Sequence, residues 1–367
     1  MSSSPPVPST RLTVLTLNVW FDAHAQDVRY AAQIDLFSRL QPDVISLQEV
    51  TETYLTALKA ALTTVPSLTA YTLSEPSLRH SFYGTALLIK SSLAPVFSRH
   101  ELSSEMEREL LLARILIGSR VVTIGCVHLE SLNSVQIRRL QMEQCYALLA
   151  DKDAILCGDF NFCSHWNYKE MQMAGGIGEK EKEKEEEDEE EESAHGKKRF
   201  KLSMPLNLFT DATIQLQSPI PPPIQLQSPI PPPPPPAPLQ SLENDGIAAL
   251  LPHFIDAWPA HHHHTSSSSS SSSSQEGFTF DTYANPMIPC TFERMRYDRI
   301  LFHLPQPVFS LSSVNLIGTE AIENNKEKSS SSIGSGGGGG AGTPERKLPP
   351  IFLSDHFGVR ATFNINE

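Results

Sequence analysis

The chain has 367 residues, 40% of them hydrophobic, and a formal net charge of −13. That balance excludes a protein that grips long nucleic acid through its overall charge. Residues 179–192, however, hold eleven acids and three lysines, a net of −8, so the remainder is only mildly acidic and leaves room for a local basic groove.

Taken in chain order, residues 1–10 read as a flexible tail. "MSSSPPVPSTR" has no apolar leader segment, and no stretch approaches a membrane span. A soluble intracellular protein, nuclear or cytoplasmic, is expected. "LTVLTLNVW", "DVISLQEV", "TALLIK", "RILIG", "RVVTIGCVHLE", "AILCGDF", "YDRILFH" and "GVRATFNI" read as strands, rich in Val, Ile, Leu and Thr. Between them Tyr30, Ile34 and Phe37 recur at helical spacing, and Ile137, Leu140 and Leu148 fall near one helix face. Strands this apolar on both faces imply two packed mixed β-sheets flanked by helices, a four-layer α/β sandwich. Five cysteines (Cys126, Cys145, Cys157, Cys163, Cys290) form no CxxC pair, and three lie in apolar runs. Reduced intracellular thiols are the natural reading.

Three insertions interrupt this pattern, at about 175–246, 261–275 and 324–345. The first carries Lys/Glu repeats, "KKRFK", a direct repeat of "IQLQSPIPPP" from Ile214 and Ile224, and a proline tract. The second is four histidines, a threonine and a serine run; the third is Ser/Gly-rich. Such compositions bury too little apolar surface to offset chain entropy, so disorder is expected. The rest of 11–366 is then a single domain of about 250 residues, expected to be a monomer. The proline tract suits SH3- or WW-type partners, which makes a scaffold the non-enzymatic alternative.

Asn18, Glu49, His128 with Glu130 and Ser131, Asp159 with Asn161, Asp298, and Asp355 with His356 stand at or beside six strand ends. One such case is a turn; six point to one site on one rim. The chemistry that needs this set is phosphoester hydrolysis. A hard cation must neutralise the phosphate oxygens, and Mg2+ (or Mn2+) is satisfied by one or two carboxylates. Glu49 leads as metal ligand. Asp159 orients and deprotonates the attacking water, with Asn161 fixing its geometry. His128 and His356 donate to the phosphoryl oxygen as charge builds, best when protonated and aimed by a carboxylate such as Asp298. Arg108 precedes a strand and reads first as a surface residue, with an approach to phosphate as the alternative. No hydrolase elbow, Walker loop or Rossmann GxGxxG is present.

Asn18, "LQEV", "HLES", "GDFN", "YDRILF" and "SDHFG", in that order, resemble the endonuclease/exonuclease/phosphatase superfamily, with its DNase I-like sandwich. "IDAWPA", "GFTFDTYANPM", "MRYDRILFH", "LIGTEAI" and "PPIFLSDHFGV" are most similar to its tyrosyl-DNA phosphodiesterase type 2 branch, a DNA repair activity. The resemblance implies Mg2+ on Glu49 with Asp355 near it, and phosphate contacts from Asn18 and His128. It also implies a water handled by Asp159 and Asn161, and an Asp298–His356 pair. Ser131 would contact the substrate, a nucleic-acid 5′ end, and Tyr83 and Trp258 would flank it, since bases and phenol rings stack on aromatics; ordinary core or rim packing is the equal alternative for each of these two rings. An apurinic or structure-selective nuclease, or a phosphatase for a small or lipid phosphoester, is the alternative on the same site. Two positions depart from the branch: Trp20 stands where an acid is expected, with Asp22 two residues further on, and Cys163 stands where an arginine is expected.

Overall fold

The computed structural model describes residues 11–76, 82–132, 134–162, 247–262, 277–288, 293–322 and 349–366, and these fall in one compact unit. The first half runs β1 (Arg11–Asn18), α1 (Gln26–Leu40), β2 (Val44–Thr51), α2 (Glu52–Thr64), β3 (Tyr71–Ser74), β4 (Tyr83–Lys90), β5 (Val96–Glu101), β6 (Glu109–Ile117), β7 (Arg120–His128), α3 (Val135–Leu149) and β8 (Ala154–Asp159). After the insertion come β9 (Ile255–Asp256), α4 (Ala257–His262), β10 (Phe280–Asp281), β11 (Arg294–Met295), β12 (Asp298–His303), β13 (Phe309–Ile317) and β14 (Gly358–Ile365). Residues 1–10, 175–246 and 324–345 of the expected tail and insertions lie outside the described residues. So does 261–275 apart from His261 and His262, which end α4 rather than lacking structure; the His262 ring lies 4.3 Å from that of Trp258.

Two six-stranded sheets carry the fold, in the orders β13-β14-β1-β2-β4-β3 and β5-β6-β7-β8-β12-β9. Strand parity sorts the core into layers. Leu12 and Val14 of β1, Ile124 and Cys126 of β7, Ile155 and Cys157 of β8, and Ile300 and Phe302 of β12 meet between the sheets. The alternate residues of the first sheet, such as Leu15, Leu17, Ile45 and Leu47, pack under α1 and α2 through Tyr30, Phe37, Tyr54 and Leu58. Those of the second sheet, such as Leu110, Leu112 and Leu156, pack under α3 through Met142, Cys145 and Leu149. The expected four-layer α/β sandwich is the observed one.

The helices differ from the periodicity reading in two respects. α2, which the periodicity reading did not single out, carries Tyr54, Leu55, Leu58 and Ala61 on one buried face; Thr51 starts it by accepting from the Tyr54 N–H at 3.2 Å, a cap that contributes about 1 kcal/mol. α3 buries Arg138, Gln141, Met142, Cys145 and Leu149, while Leu140 is exposed. Its polar buried pair serves the chain beyond β7: Arg138 donates to the Glu130 and Leu132 carbonyls at 2.8 and 2.7 Å, and Gln141 accepts from the Glu130 N–H at 2.8 Å.

Topology fixes where the strand ends go. β1 and β2 are parallel, as are β7 and β8 in the other sheet, and a hydrogen bond from Asn18 to Asp159 brings the two pairs' ends to one edge. Their antiparallel neighbours β4, β6, β12 and β14 begin on that edge. Among these, Gly158 has a special task. Its φ is +144°, and a Cβ there would lie 1.9 Å from the Val127 carbonyl oxygen. Only glycine lets β8 approach β7 so closely just before His128 and Asp159 pair in register. Gly158→Ala is therefore expected to lower stability by roughly 2–4 kcal/mol, measured by urea unfolding.

Candidate active site

Parity that places Val14, Ile124, Cys157 and Ile300 between the sheets also places Asn18, His128, Asp159 and Asp298 there, at the top of the core. Glu49 breaks the rule. It shares parity with Ile45 and Leu47, which face the helices. A bulge between Leu47 and Val50 and a left-handed φ of 61° at Glu49 interrupt the alternation, a device that re-aims a side chain at some local strain.

The convergence point is the buried carboxylate of Asp159. Its Oδ2 accepts from Asn18 Nδ2 at 3.1 Å and lies 3.7 Å from His128 Nε2 and 4.0 Å from His356 Nε2. Oδ1 accepts from the Asn161 N–H at 2.8 Å. The Asn18 amide is oriented by the Trp20 N–H, which donates to Oδ1 at 3.0 Å. Asn161 ties its own Nδ2 to the Leu129 carbonyl at 2.9 Å, bracing the ends of β7 and β8 against each other. Burial by itself would raise the Asp159 pKa, yet His356 and His128, then Asn18 and Asn161, hold it below the usual carboxylate range.

The two imidazoles differ in charge. His356 Nδ1 is bonded to Asp298 Oδ2 at 2.7 Å. Burial opposes its cation, but Asp298 and Asp355 raise it well above 6.5. Burial likewise pushes Asp298 up, against the pull of His356. Three carboxylates, Asp298, Asp355 and Asp159, act on the ring and hold the proton on His356. Phe280 and Tyr297, which the motif reading did not single out, wall this imidazole at ring distances of 5.1 and 6.1 Å. His128 is neutral instead: burial first, then Arg108, lowers it to about 3. Its Nδ1 faces Arg108 Nη1 at 3.3 Å, so Nδ1 accepts and Nε2 carries the proton.

Arg108 is thus a correction. It is buried, donates to Ser131 Oγ at 3.1 Å and lies over the Tyr83 ring at 5.3 Å. Its signal was positional: an arginine immediately before an apolar strand that starts on the same rim. The carboxylate of Glu130, named among the strand ends, turns away and accepts from Ser104 Oγ and the Glu105 N–H at 2.6 and 2.9 Å, holding the loop that leads into Arg108. Trp258, expected beside the substrate, is 7% exposed and belongs to the inter-sheet core. Gly277, at φ +68°, leaves it room, since a Cβ there would sit 2.1 Å from the indole.

The loop after Asn18 is held by its main chain. Arg29, fully buried, donates to the carbonyls of Val19, Trp20, Asp22 and His24, and its guanidinium covers the Trp20 ring at 4.5 Å. The Asp22 carboxylate is exposed and accepts from the His24 N–H at 2.7 Å, so it does not stand in for the acid missing at Trp20. Cys163 lies outside the described residues.

Two groups of residues compete to hold a cation. Asp159, Asp298 and His356 offer ligand atoms within 4.8 Å of one another, but a protonated, Asp298-bonded histidine is no ligand. Glu49 and Asp355 fit better. Burial, then Asp355, pushes Glu49 up to about 7, and burial pushes Asp355 up against the pull of His356. Two carboxylates driven toward protonation are the oxygen donors that a hard divalent ion would keep ionised.

Residues 15–356 match the Endonuclease/Exonuclease/phosphatase family. No curated protein matches the chain. TDP2 from C. elegans shares the fold with a TM-score of 0.54 at 18% identity, over 96% of this chain and 75% of that one. D. rerio TDP2 complexed with single strand DNA product gives 0.55 at 18%, over 97% and 100%. An endonuclease/exonuclease/phosphatase family protein from Bacteroides thetaiotaomicron gives 0.53 at 13%, over 99% and 100%. At these identities the likeness is one of fold.

Opposite charge states give opposite pH signatures. His356 contributes stability that is complete below the unfolded value of 6.5 and lost as pH rises through its higher folded value. His128 contributes stability that is complete above 6.5 and lost as pH falls toward about 3. Imidazole NMR titration at pH 7 is expected to show His356 charged and His128 neutral. Asp298→Asn should lower the His356 pKa, and His128→Gln should flatten the acid limb of the stability curve.

Proposed function

Because the chain belongs to the Endonuclease/Exonuclease/phosphatase family, whose members hydrolyse phosphoesters, we propose that it is a divalent-metal-dependent phosphodiesterase acting at nucleic-acid 5′ ends. The observation that carries this reading is the convergence of Asn18, His128 and His356 on Asp159, beside the Glu49–Asp355 pair. The reaction of best fit is that of a 5′-tyrosyl-DNA phosphodiesterase.

Glu49 and Asp355 would hold the ion, Mg2+ by the hardness of their oxygens. Once bound, the ion supplies neutralisation of a phosphoryl oxygen, so that a nucleophile can approach. The chain's own groups do the rest. Ionised Asp159 aligns a water for in-line attack and takes its proton as the new P–O bond forms. Charged His356 and neutral His128 each present an N–H to the phosphoryl oxygens as charge builds there. Asn18 adds an amide donor, and Arg108 backs His128 with a fixed positive charge. The ester P–O bond breaks opposite the water. Tyrosine, with a phenol pKa of about 10, leaves as phenolate without a dedicated acid, which favours an aryl ester on this site. Tyr83, stacked on His128 at 5.8 Å, lies where a substrate ring or sugar would pass. A smaller phosphoester on the same site is the second reading, supported by the missing acid at Trp20.

Purified protein with Mg2+ is expected to release tyrosine from a 5′-phosphotyrosyl oligonucleotide and to lose that activity in EDTA. Turnover only of a lipid or inositol phosphate selects the second reading. Glu49→Gln, Asp159→Asn and His356→Ala should each lower kcat by about 10²–10⁴-fold with the circular dichroism spectrum retained. Since Glu49 sits at about 7, the rise in Tm on adding Mg2+ is expected to be larger at pH 8 than at pH 5.5, where a proton competes for its carboxylate.

A further inference from the structure

The packed core leaves two phenylalanines beside the candidate site, Phe21 at 40% exposure and Phe82 at 64%. Single exposed apolar side chains are ordinary, but these two are ordered against each other. Phe21 follows β1 and Phe82 precedes β4, and their rings meet edge to face at 5.1 Å. Tyr83 lies parallel to Phe21 at 5.1 Å, with 5° between the planes, and edge-on to Phe82 at 4.7 Å. The same Tyr83 ring stacks on His128 and carries Arg108. The aromatic wall therefore runs outward from the catalytic imidazole to solvent.

Its support is polar and fixed. The Phe21 N–H donates to Glu49 Oε2 at 3.0 Å, and Arg29 clamps the carbonyls of Val19 and Trp20 just before it. A preorganised ring face gains most from another flat ring, whereas an alkyl chain gains nothing from flatness. Resting on the phosphodiesterase reading above, we infer that Phe21 and Phe82 form an aromatic subsite. It stacks a planar ring of the phosphoester substrate, a nucleobase or an aryl leaving group, next to the scissile phosphate.

The test is equilibrium binding to the full chain in Mg2+, by calorimetry, of four phosphate monoesters. Thymidine 5′-phosphate is compared with 2-deoxyribose 5-phosphate, and phenyl phosphate with cyclohexyl phosphate. A preference of about tenfold is expected for the ring-bearing member of at least one pair. Phe21→Ala and Phe82→Ala should abolish it, and Phe82→Trp should retain it. Loss in the first pair assigns the nucleobase; loss in the second assigns the leaving group. Equal affinities in the wild type, no binding of any ligand, or equal weakening of flat and non-flat ligands by the variants overturns the subsite. Tm values near wild type exclude misfolding for these exposed positions. Ring preference without turnover of any phosphoester would sink the phosphodiesterase reading while leaving the subsite standing.

Discussion

A carboxylate buried at the end of a strand is costly unless donors surround it, and Asp159 organises the candidate site for that reason. Asn18, His128, His356 and the Asn161 N–H gather around its two oxygens from four separate segments. Each is delivered by a constraint that acts elsewhere in the fold. The parallel register of β7 and β8 sets His128 beside Asp159. The antiparallel register of β12 sets Asp298 directly opposite, and Gly158 permits the close approach. Removing any of these would leave the carboxylate incompletely satisfied, so the geometry of the rim and the integrity of the core are one problem.

Around that hub the charges are divided. His356 is cationic among carboxylates, whereas His128 is neutral because burial and Arg108 oppose its proton. One imidazole offers a full charge to a developing oxyanion; the other offers a directional N–H in a fixed tautomer. Burial, then the Asp355 carboxylate, pushes Glu49 up, so negative charge on that side of the site is held against a cost.

Much of this was readable from the sequence. His128, Asp159 and Asp298 each continue the inter-sheet parity of an Ile or Cys two residues away, and Asn18 that of Val14 four residues back, so the strand pattern puts all four on the inter-sheet face. Glu49 has the wrong parity, and only its motif singled it out; the bulge that re-aims it has no local signature. Arg108 was misjudged because arginine is normally a surface residue, and its partner His128 lies on another strand. Trp258 looked like a substrate platform by residue type, but depth is a tertiary property, set here by a glycine 19 positions later. The buried face of α3 escaped periodicity because Arg138 and Gln141 serve main-chain groups. Phe21 and Phe82 come from different loops, and nothing in either loop announces that they meet.

Arg29 hydrogen-bonds only to carbonyl oxygens along the stretch from Val19 to His24, and the Trp20 ring beneath its guanidinium is its one side-chain contact there. The hydrogen bonds of such a clamp are indifferent to the side chains at 21 to 24. The segment bordering the reactive centre can accumulate substitutions without losing its path or the aim of Asn18. Selectivity in a lineage is then free to drift at positions 21 to 24 while the rim behind them keeps its shape, an evolvable border around an unchanging engine.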